Sequence, residues 1–283
     1  MTDTASQYSD TSSGDGTWLP RWDGADYAAN TAHHRVYDDA FLASTPITCD
    51  NRVLDLGCGS GDLTATLADI ADAGQVVGLD AQPTMLAEAR TRARPNQSFL
   101  LGPVQALSTL LLSPEHDASF DLVLSRSVLH WVPVGDQPGV YADSARLLRR
   151  GGWMRVECGG AGNVAAVQAL LDAVSGSLGG PTAPWTFADA ATAMRWVEAA
   201  GLDPEAGGGG FVRTVAQHRR FDEDTLLGWL RSQVYMAYES GLPADIHAEF
   251  RTAVEARLEE LRAGDGSYDQ HWVRLDLLAQ RPA

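Results

Sequence analysis

The segment Val53-Leu54-Asp55-Leu56-Gly57-Cys58-Gly59-Ser60-Gly61-Asp62 leaves this chain few choices of fold. A short apolar run with one acidic residue gives way to three glycines at alternate positions, and an apolar helical pattern follows from Leu63 to Ile70. Glycine serves where a backbone must turn sharply or let a ligand approach closely. Three of them between a strand and a helix point to a nucleotide-sized ligand over the carboxyl end of a sheet.

The spacing narrows that ligand. A dinucleotide fingerprint, G-x-G-x-x-G, places its third glycine where the helix packs on the strand and its pyrophosphate at the helix N-terminus. Gly57 and Gly59 fill the first two places, but the third falls on Asp62, whose carboxylate opposes a pyrophosphate there. A phosphate-binding P-loop needs a lysine, and the chain has none. The remaining pattern, Asp55-x-Gly57-x-Gly59-x-Gly61, resembles the first motif of the class I S-adenosylmethionine-dependent methyltransferases. Their ligand has no phosphate and carries an ammonium and a sulfonium, so acidic neighbours suit it. The resemblance implies that Asp55, Gly57, Cys58, Gly59 and Gly61 belong to a site for S-adenosyl-L-methionine.

Strand and helix patterns alternate through the middle of the chain. Strands are expected at Arg52–Leu56, Gln75–Asp80, Ser98–Leu101, Phe120–Ser125 and Gly152–Cys158. Helices are expected near residues 62–71, 83–93, 105–112 and 139–149, with Pro83 suited to a first helical turn. Such alternation argues for a parallel sheet covered on both faces. After Cys158 the pattern becomes helical near residues 164–178, 188–200, 223–238 and 244–262. A weak strand is expected near residues 205–215, and a half-buried one at 271–280, where Val273, Leu275 and Leu277 alternate with polar residues.

The expected fold is therefore α/β, a doubly wound, mostly parallel seven-stranded sheet of Rossmann-like type. The resemblance adds an N-terminal lid helix, and the helical segments 160–200 and 220–265 are expected to form an inserted cap that shapes the acceptor pocket. Residues 1–17 read as a disordered tail, 18–45 as the lid region, 46–160 as the cofactor-binding core, and 161–283 as the rest of the sheet with a substrate cap.

Asp80 closes the second strand about 20 residues beyond the glycine loop, where a carboxylate accepts both ribose hydroxyls of a nucleoside. Ser125 ends the fourth strand beside the strand-order reversal, so the methyl group and its acceptor are expected to meet near Ser125 and Arg126. By resemblance, the segment with Ala81, Pro83 and Met85 lines the ribose and adenine, and Gly102-Pro103-Val104-Gln105 lies beside the adenine. The family commonly carries an aspartate where this chain has Pro103, which leaves the backbone of Val104 and Gln105 to meet the adenine amino group. Arg149-Arg150-Gly151-Gly152 reads as a structural turn.

Trp22 to Tyr27 and His33-His34-Arg35, together with Leu129-His130-Trp131, are similar to the trans-aconitate methyltransferase-type branch of small-acid O-methyltransferases. That likeness implies an N-terminal helix over the cofactor, with Tyr27, His34 and Arg35 facing the reaction chamber. A carboxylate acceptor would be held by Arg35 or Arg126. A hydroxyl acceptor would need a base, His34 or His130. A carbon acceptor of isoprenoid type would develop a cation, which the faces of Tyr27, Trp131 or Trp185 would stabilise.

Composition excludes several other classes. The net charge is -16, which repels nucleic-acid backbones. No apolar run reaches the ~20 residues of a membrane span. Cys49, Cys58 and Cys158 give neither a disulfide framework nor metal spacing, which fits a reducing cytoplasm. The expected activity is S-adenosylmethionine-dependent methylation of a small molecule, on a carboxylate or hydroxyl of a metabolite. C-methylation of an isoprenoid, and a cofactor-binding cyclase without methyl transfer, stay open. So does the choice between monomer and homodimer.

Overall fold

A computed structural model of the chain describes residues 22, 24, 27, 38–111 and 116–283. Val53, Leu54 and Leu56 have no exposed surface because β1 (Arg52–Leu56) lies between β2 (Gln75–Asp80) and β4 (Phe120–Arg126), parallel to both. Burying each such side chain stabilises the fold by ~1.5–3 kcal/mol. β3 (Gln97–Leu101) extends the sheet beyond β2, and β5 (Leu148–Gly159) extends it beyond β4. β7 (Tyr268–Gln280) then inserts antiparallel between β5 and β6 (Phe211–Phe221). The order is β3-β2-β1-β4-β5-β7-β6, which reverses between β1 and β4.

The helices fall where chain pattern and glycine breaks put them. α1 (Asp38–Ala43) precedes β1, and α2 (Asp62–Ile70), α3 (Pro83–Thr91), α4 (Leu107–Leu110) and α5 (Gln137–Leu147) alternate with the parallel strands. Then come α6 (Ala165–Ser177), α7 (Ala190–Ala199), α8 (Glu223–Trp229), α9 (Tyr235–Glu239) and α10 (His247–Glu255). A π-helical turn, Leu230–Val234, joins α8 to α9.

Among the described residues, three apolar cores result. One face of the sheet packs Phe41, Leu67 and Ala68 against Val53, Val76 and Leu122. The other packs Leu54, Leu56, Val123 and Met154 against Leu107, Tyr141 and Val197. The third core belongs to the helical addition, where Leu171, Leu230, Tyr235, Tyr238 and Phe250 meet Phe221, Tyr268 and Trp272 at the ends of β6 and β7.

Three expectations need correction. The weak strand near residues 205–215 is an 11-residue strand displaced to Phe211–Phe221, because Ala206–Gly208 forms a 3-10 turn first. The last strand is not half-buried. From Trp272 to Ala279 every residue is buried, since β7 has a neighbour on each edge and packing on each face. And α7 lies on the sheet, with Trp196 against Tyr141 of α5 at 5.7 Å, and takes no part in the third core.

Candidate active site

The loop after β1 folds back on β2. The N–H groups of Gly57 and Cys58 donate to Leu79 O at 2.7 and 2.9 Å, and Gly61 N–H donates to Cys58 O at 3.0 Å. All three glycines have positive φ, at 73°, 55° and 82°, a region that side chains rarely adopt. Their surroundings differ. A Cβ on Gly57 would strike the Val128 methyls at 2.3 Å, and one on Gly61 would strike Ala89 at 2.8 Å. At Gly59 the nearest atom would be Tyr27 Cε1 at 3.8 Å, so that position leaves room for a ligand above the loop.

Two carboxylates flank this loop. Asp80 accepts N–H bonds from Gly59 (2.9 Å) and Gln82 (2.8 Å). Burial raises its pKa above the ordinary carboxylate value, although these backbone bonds oppose the rise. Asp55 accepts a 2.7 Å bond from Thr64 Oγ1. Burial pushes its pKa up to about 7, with the Thr64 bond opposing and the Asp80 charge adding to the shift. Tyr27 stands over the loop with its phenol pushed up to about 12, first by burial and then by Asp80. Cys58 is buried, and a Cβ on Gly78 would lie 2.9 Å from its Sγ. Burial holds that thiol protonated, so it fills space and is no nucleophile.

Three hollows open around these residues. The first lies beyond β2, with Asp80, Ala81, Met85, Val104 and Gln105 in its wall. The second lies beside α2, with Asp55, Cys58, Ser60 and Asp62. The third reaches toward the helical addition, with His130, Trp131, Trp185 and Arg274. Of the described residues, Tyr27 and Ser127 line all three. Ser127 is held at φ 59°, its N–H bonded to Glu157 O at 2.7 Å. Strain of this kind costs ~1–3 kcal/mol and clusters at functional sites. Trp22 and Gly24 touch the start of α3. Thr84 Oγ1 donates to Trp22 O at 2.7 Å, and Gly24 is too close to Thr84 to carry a Cβ.

The sequence candidates distribute as follows. Tyr27, Asp55, Gly57, Cys58, Gly59, Asp80, Ala81, Met85, Val104 and Gln105 line the first two hollows. Gly61 lines none; it serves the contact with Ala89. Ser125 is also outside the walls. It is fully buried and its Oγ donates back to Leu56 O at 3.1 Å, because β4 continues one residue further than expected. Arg126 lines the cleft but forms ion pairs with Asp38 and, at 3.6 Å, Glu157, so it ties α1 to the sheet. His34 and Arg35 lie outside the described residues.

His130 lines the third hollow, yet its chemistry is not that of a base. Gly159 N–H donates to its Nδ1 at 3.2 Å, which leaves the proton of the neutral ring on Nε2. Burial, reinforced by the Arg274 charge, lowers its pKa to about 3. The ring is a fixed hydrogen-bond donor.

Arg274 and Ser127 escaped the sequence reading. Arg274 sits in β7, 5% exposed, and its Nη2 donates to Ser127 Oγ at 2.9 Å and Glu157 Oε1 at 3.3 Å. Its Nε is buried without a hydrogen-bond partner. Burial pushes the Glu157 carboxyl up, but Arg274, Arg126 and Arg155 outweigh that and hold its pKa low.

The walls suit a sulfonium nucleoside. Asp80 and the open place above Gly59 can take the ribose side, and Asp55 can take an ammonium; the cation described in these walls, Arg126, is engaged by Asp38 and Glu157. Residues 53–152 match the family described as a methyltransferase domain. The chain is 32% identical to the trans-aconitate 2-methyltransferase of Methylobacterium nodulans, over 92% of this chain and 98% of that one. It is 28% identical to the enzyme of the same name from Variovorax paradoxus, over 90% and 98%. Its fold resembles phosphoethanolamine N-methyltransferase 2 of Haemonchus contortus in complex with S-adenosyl-L-methionine, with a TM-score of 0.56, 15% identity, and coverage of 92% of this chain and 57% of that one. The glycine loop, the paired acidic strand ends and full-length similarity to a curated relative converge: the chain belongs to the class I methyltransferases, alongside the trans-aconitate 2-methyltransferases, and S-adenosyl-L-methionine is its cofactor.

Proposed function

We propose that the protein methylates a carboxylate of a small molecule and releases a methyl ester. The observation that carries this reading is Arg274 in the wall of the third hollow, one hydrogen bond from Ser127 at the junction of all three. The relatives named for trans-aconitate, a carboxylic acid, lend it further support.

S-adenosyl-L-methionine, when bound, would supply a methyl group already activated on a cationic sulfur: an acceptor oxygen would bond to the methyl carbon as the carbon–sulfur bond breaks and its electron pair stays on sulfur. The protein's task is alignment. Asp55 would hold the ammonium and Asp80 the ribose, Tyr27 would cover the cofactor, and Ser127 stands at the junction where the acceptor would meet it. An arginine fixes a carboxylate through charge-assisted bonds. A carboxylate is nucleophilic without losing a proton, so a His130 locked as donor is no handicap. A hydroxyl acceptor would need a base, and the described wall of the third hollow contains no carboxylate. Carbon methylation and cyclisation are not favoured, because neither explains a guanidinium buried beside the junction.

The test is incubation with methyl-labelled cofactor and a panel of acids, alcohols and phenols, followed by mild alkali. Label released as methanol marks an ester. Label held in alkali-stable ethers, or in no product from any acid, would sink the assignment.

A further inference from the structure

We infer that the acceptor is a monocarboxylic acid with a flat aromatic or comparably bulky apolar body, rather than a tricarboxylate of the kind the relatives are named for. This deepens the carboxylate reading above and rests on it.

The wall of the third hollow carries the inference. Trp22, Trp131, Trp185, Phe187, Trp229 and Trp272 all line it. Trp185 stacks on Phe187 at 5.5 Å and 26°, and Trp131 stands edge-on to Trp185 at 5.7 Å. Trp22 stands edge-on to Trp131 at 5.3 Å. Trp22, Trp131, Trp185 and Phe187 form one run of touching rings, and Trp229 and Trp272 a second pair at 5.6 Å, an apolar lining suited to a planar or greasy ligand, which would be stabilised by area burial and by ring-on-ring contact. A small tricarboxylate has neither property.

Charge points the same way. A tricarboxylate brings three negative charges into the site, and each buried carboxylate needs a cationic or hydrogen-bonding partner. Among the described lining residues, Arg274 is the single formal charge. It is already shared with Glu157 at 3.3 Å. Its capacity therefore matches one carboxylate and falls short of three.

Three polar groups of the wall favour an acceptor of hydrogen bonds. Arg274 Nε and Trp185 Nε1 are buried without partners. His130 carries its proton on Nε2, its other nitrogen being occupied by Gly159 N–H. All three are donors. A carboxylate accepts only and offers two oxygens, so it meets these three donors more fully than an alcohol, which offers one oxygen and a proton of its own.

The experiment uses the full chain saturated with S-adenosylhomocysteine and reads binding by quenching of tryptophan fluorescence. The probes are 2-naphthoate, its alcohol 2-naphthylmethanol, and trans-aconitate. Expected is binding of 2-naphthoate at least tenfold tighter than either of the others, and formation of its methyl ester when S-adenosylmethionine replaces the product. Trp185→Phe removes the N–H together with part of the ring area. It should weaken both naphthalene probes, and naphthoate about threefold to tenfold more than the alcohol, while leaving S-adenosylhomocysteine binding unchanged. Arg274→Gln, scored only if it still binds S-adenosylhomocysteine, should erase the preference of acid over alcohol. If trans-aconitate binds or reacts as well as 2-naphthoate, the substrate class is wrong and the carboxylate reading survives. If the alcohol is methylated and no acid is, both fall. If 2-naphthoate does not bind at all, the proposal is overturned.

Discussion

Asp55 is a carboxylate whose charge depends on pH near neutrality, because burial outweighs the Thr64 bond that favours ionisation. With a value near 7, about a tenth of the molecules carry the charge at pH 6 and about nine-tenths at pH 8. An ammonium beside it binds the ionised form better. Cofactor affinity should therefore rise with pH, about tenfold from pH 6 to 8, when S-adenosylhomocysteine is titrated calorimetrically; Asp55→Asn should weaken binding and flatten the slope. Asp80→Asn should cost ~1.5–3 kcal/mol of the same affinity, through the loss of charged hydrogen bonds, without changing acid binding in the third hollow. A rate that falls at low pH even at saturating cofactor, with the midpoint of an ordinary histidine, would contradict the donor role of His130. Asp55 and Asp80 were legible in the sequence because each ends or nearly ends a strand in fixed register with the glycines. Arg274 was not. In a strand taken as half-buried, an arginine alternating with Val273 and Leu275 passes for a solvent-facing residue, and only the insertion of β7 between β5 and β6 turns that position inward.

The strand–loop–helix unit from β1 to α2 depends on backbone conformations that side chains oppose. Gly61 combines φ 82° with a Cβ position 2.8 Å from Ala89. Gly61→Ala should destabilise the fold by ~1–3 kcal/mol, visible as a lower denaturant midpoint, since it pushes α2 away from α3. Gly59→Ala strains its backbone too but meets open space, so its larger effect should fall on cofactor binding. Most element boundaries were legible from periodicity and from glycine or proline breaks. The end of β4 was not. A polar Ser125 reads as a strand terminus, but its hydroxyl is satisfied by Leu56 O, and the ladder continues to Arg126. The helical addition was legible as helices but not as a separate core, because contacts such as Trp185 against Tyr238 join segments far apart in the chain.

On the scale of the whole molecule, the charge of -16 acts on both ligands with opposite sign. The cofactor is a net cation, so low ionic strength should strengthen its binding. An anionic acceptor is repelled, and added salt should strengthen its binding up to roughly the ionic strength at which the Debye length falls to ~8 Å. Fluorescence titrations of cofactor and acid between 10 and ~150 mM salt should therefore give slopes of opposite sign. Parallel slopes would show that local contacts override the global field. The sheet order has a consequence for biosynthesis. β6 leaves the ribosome before β7, yet its hydrogen-bonded neighbour in the sheet is β7. Until residues 268–280 emerge, β5 keeps an open edge and the 11-residue β6 has no strand to join. Nascent chains carry their cofactor loop early, but they must be shielded from aggregation through an exposed strand edge until the segment bearing Arg274 arrives to close the sheet.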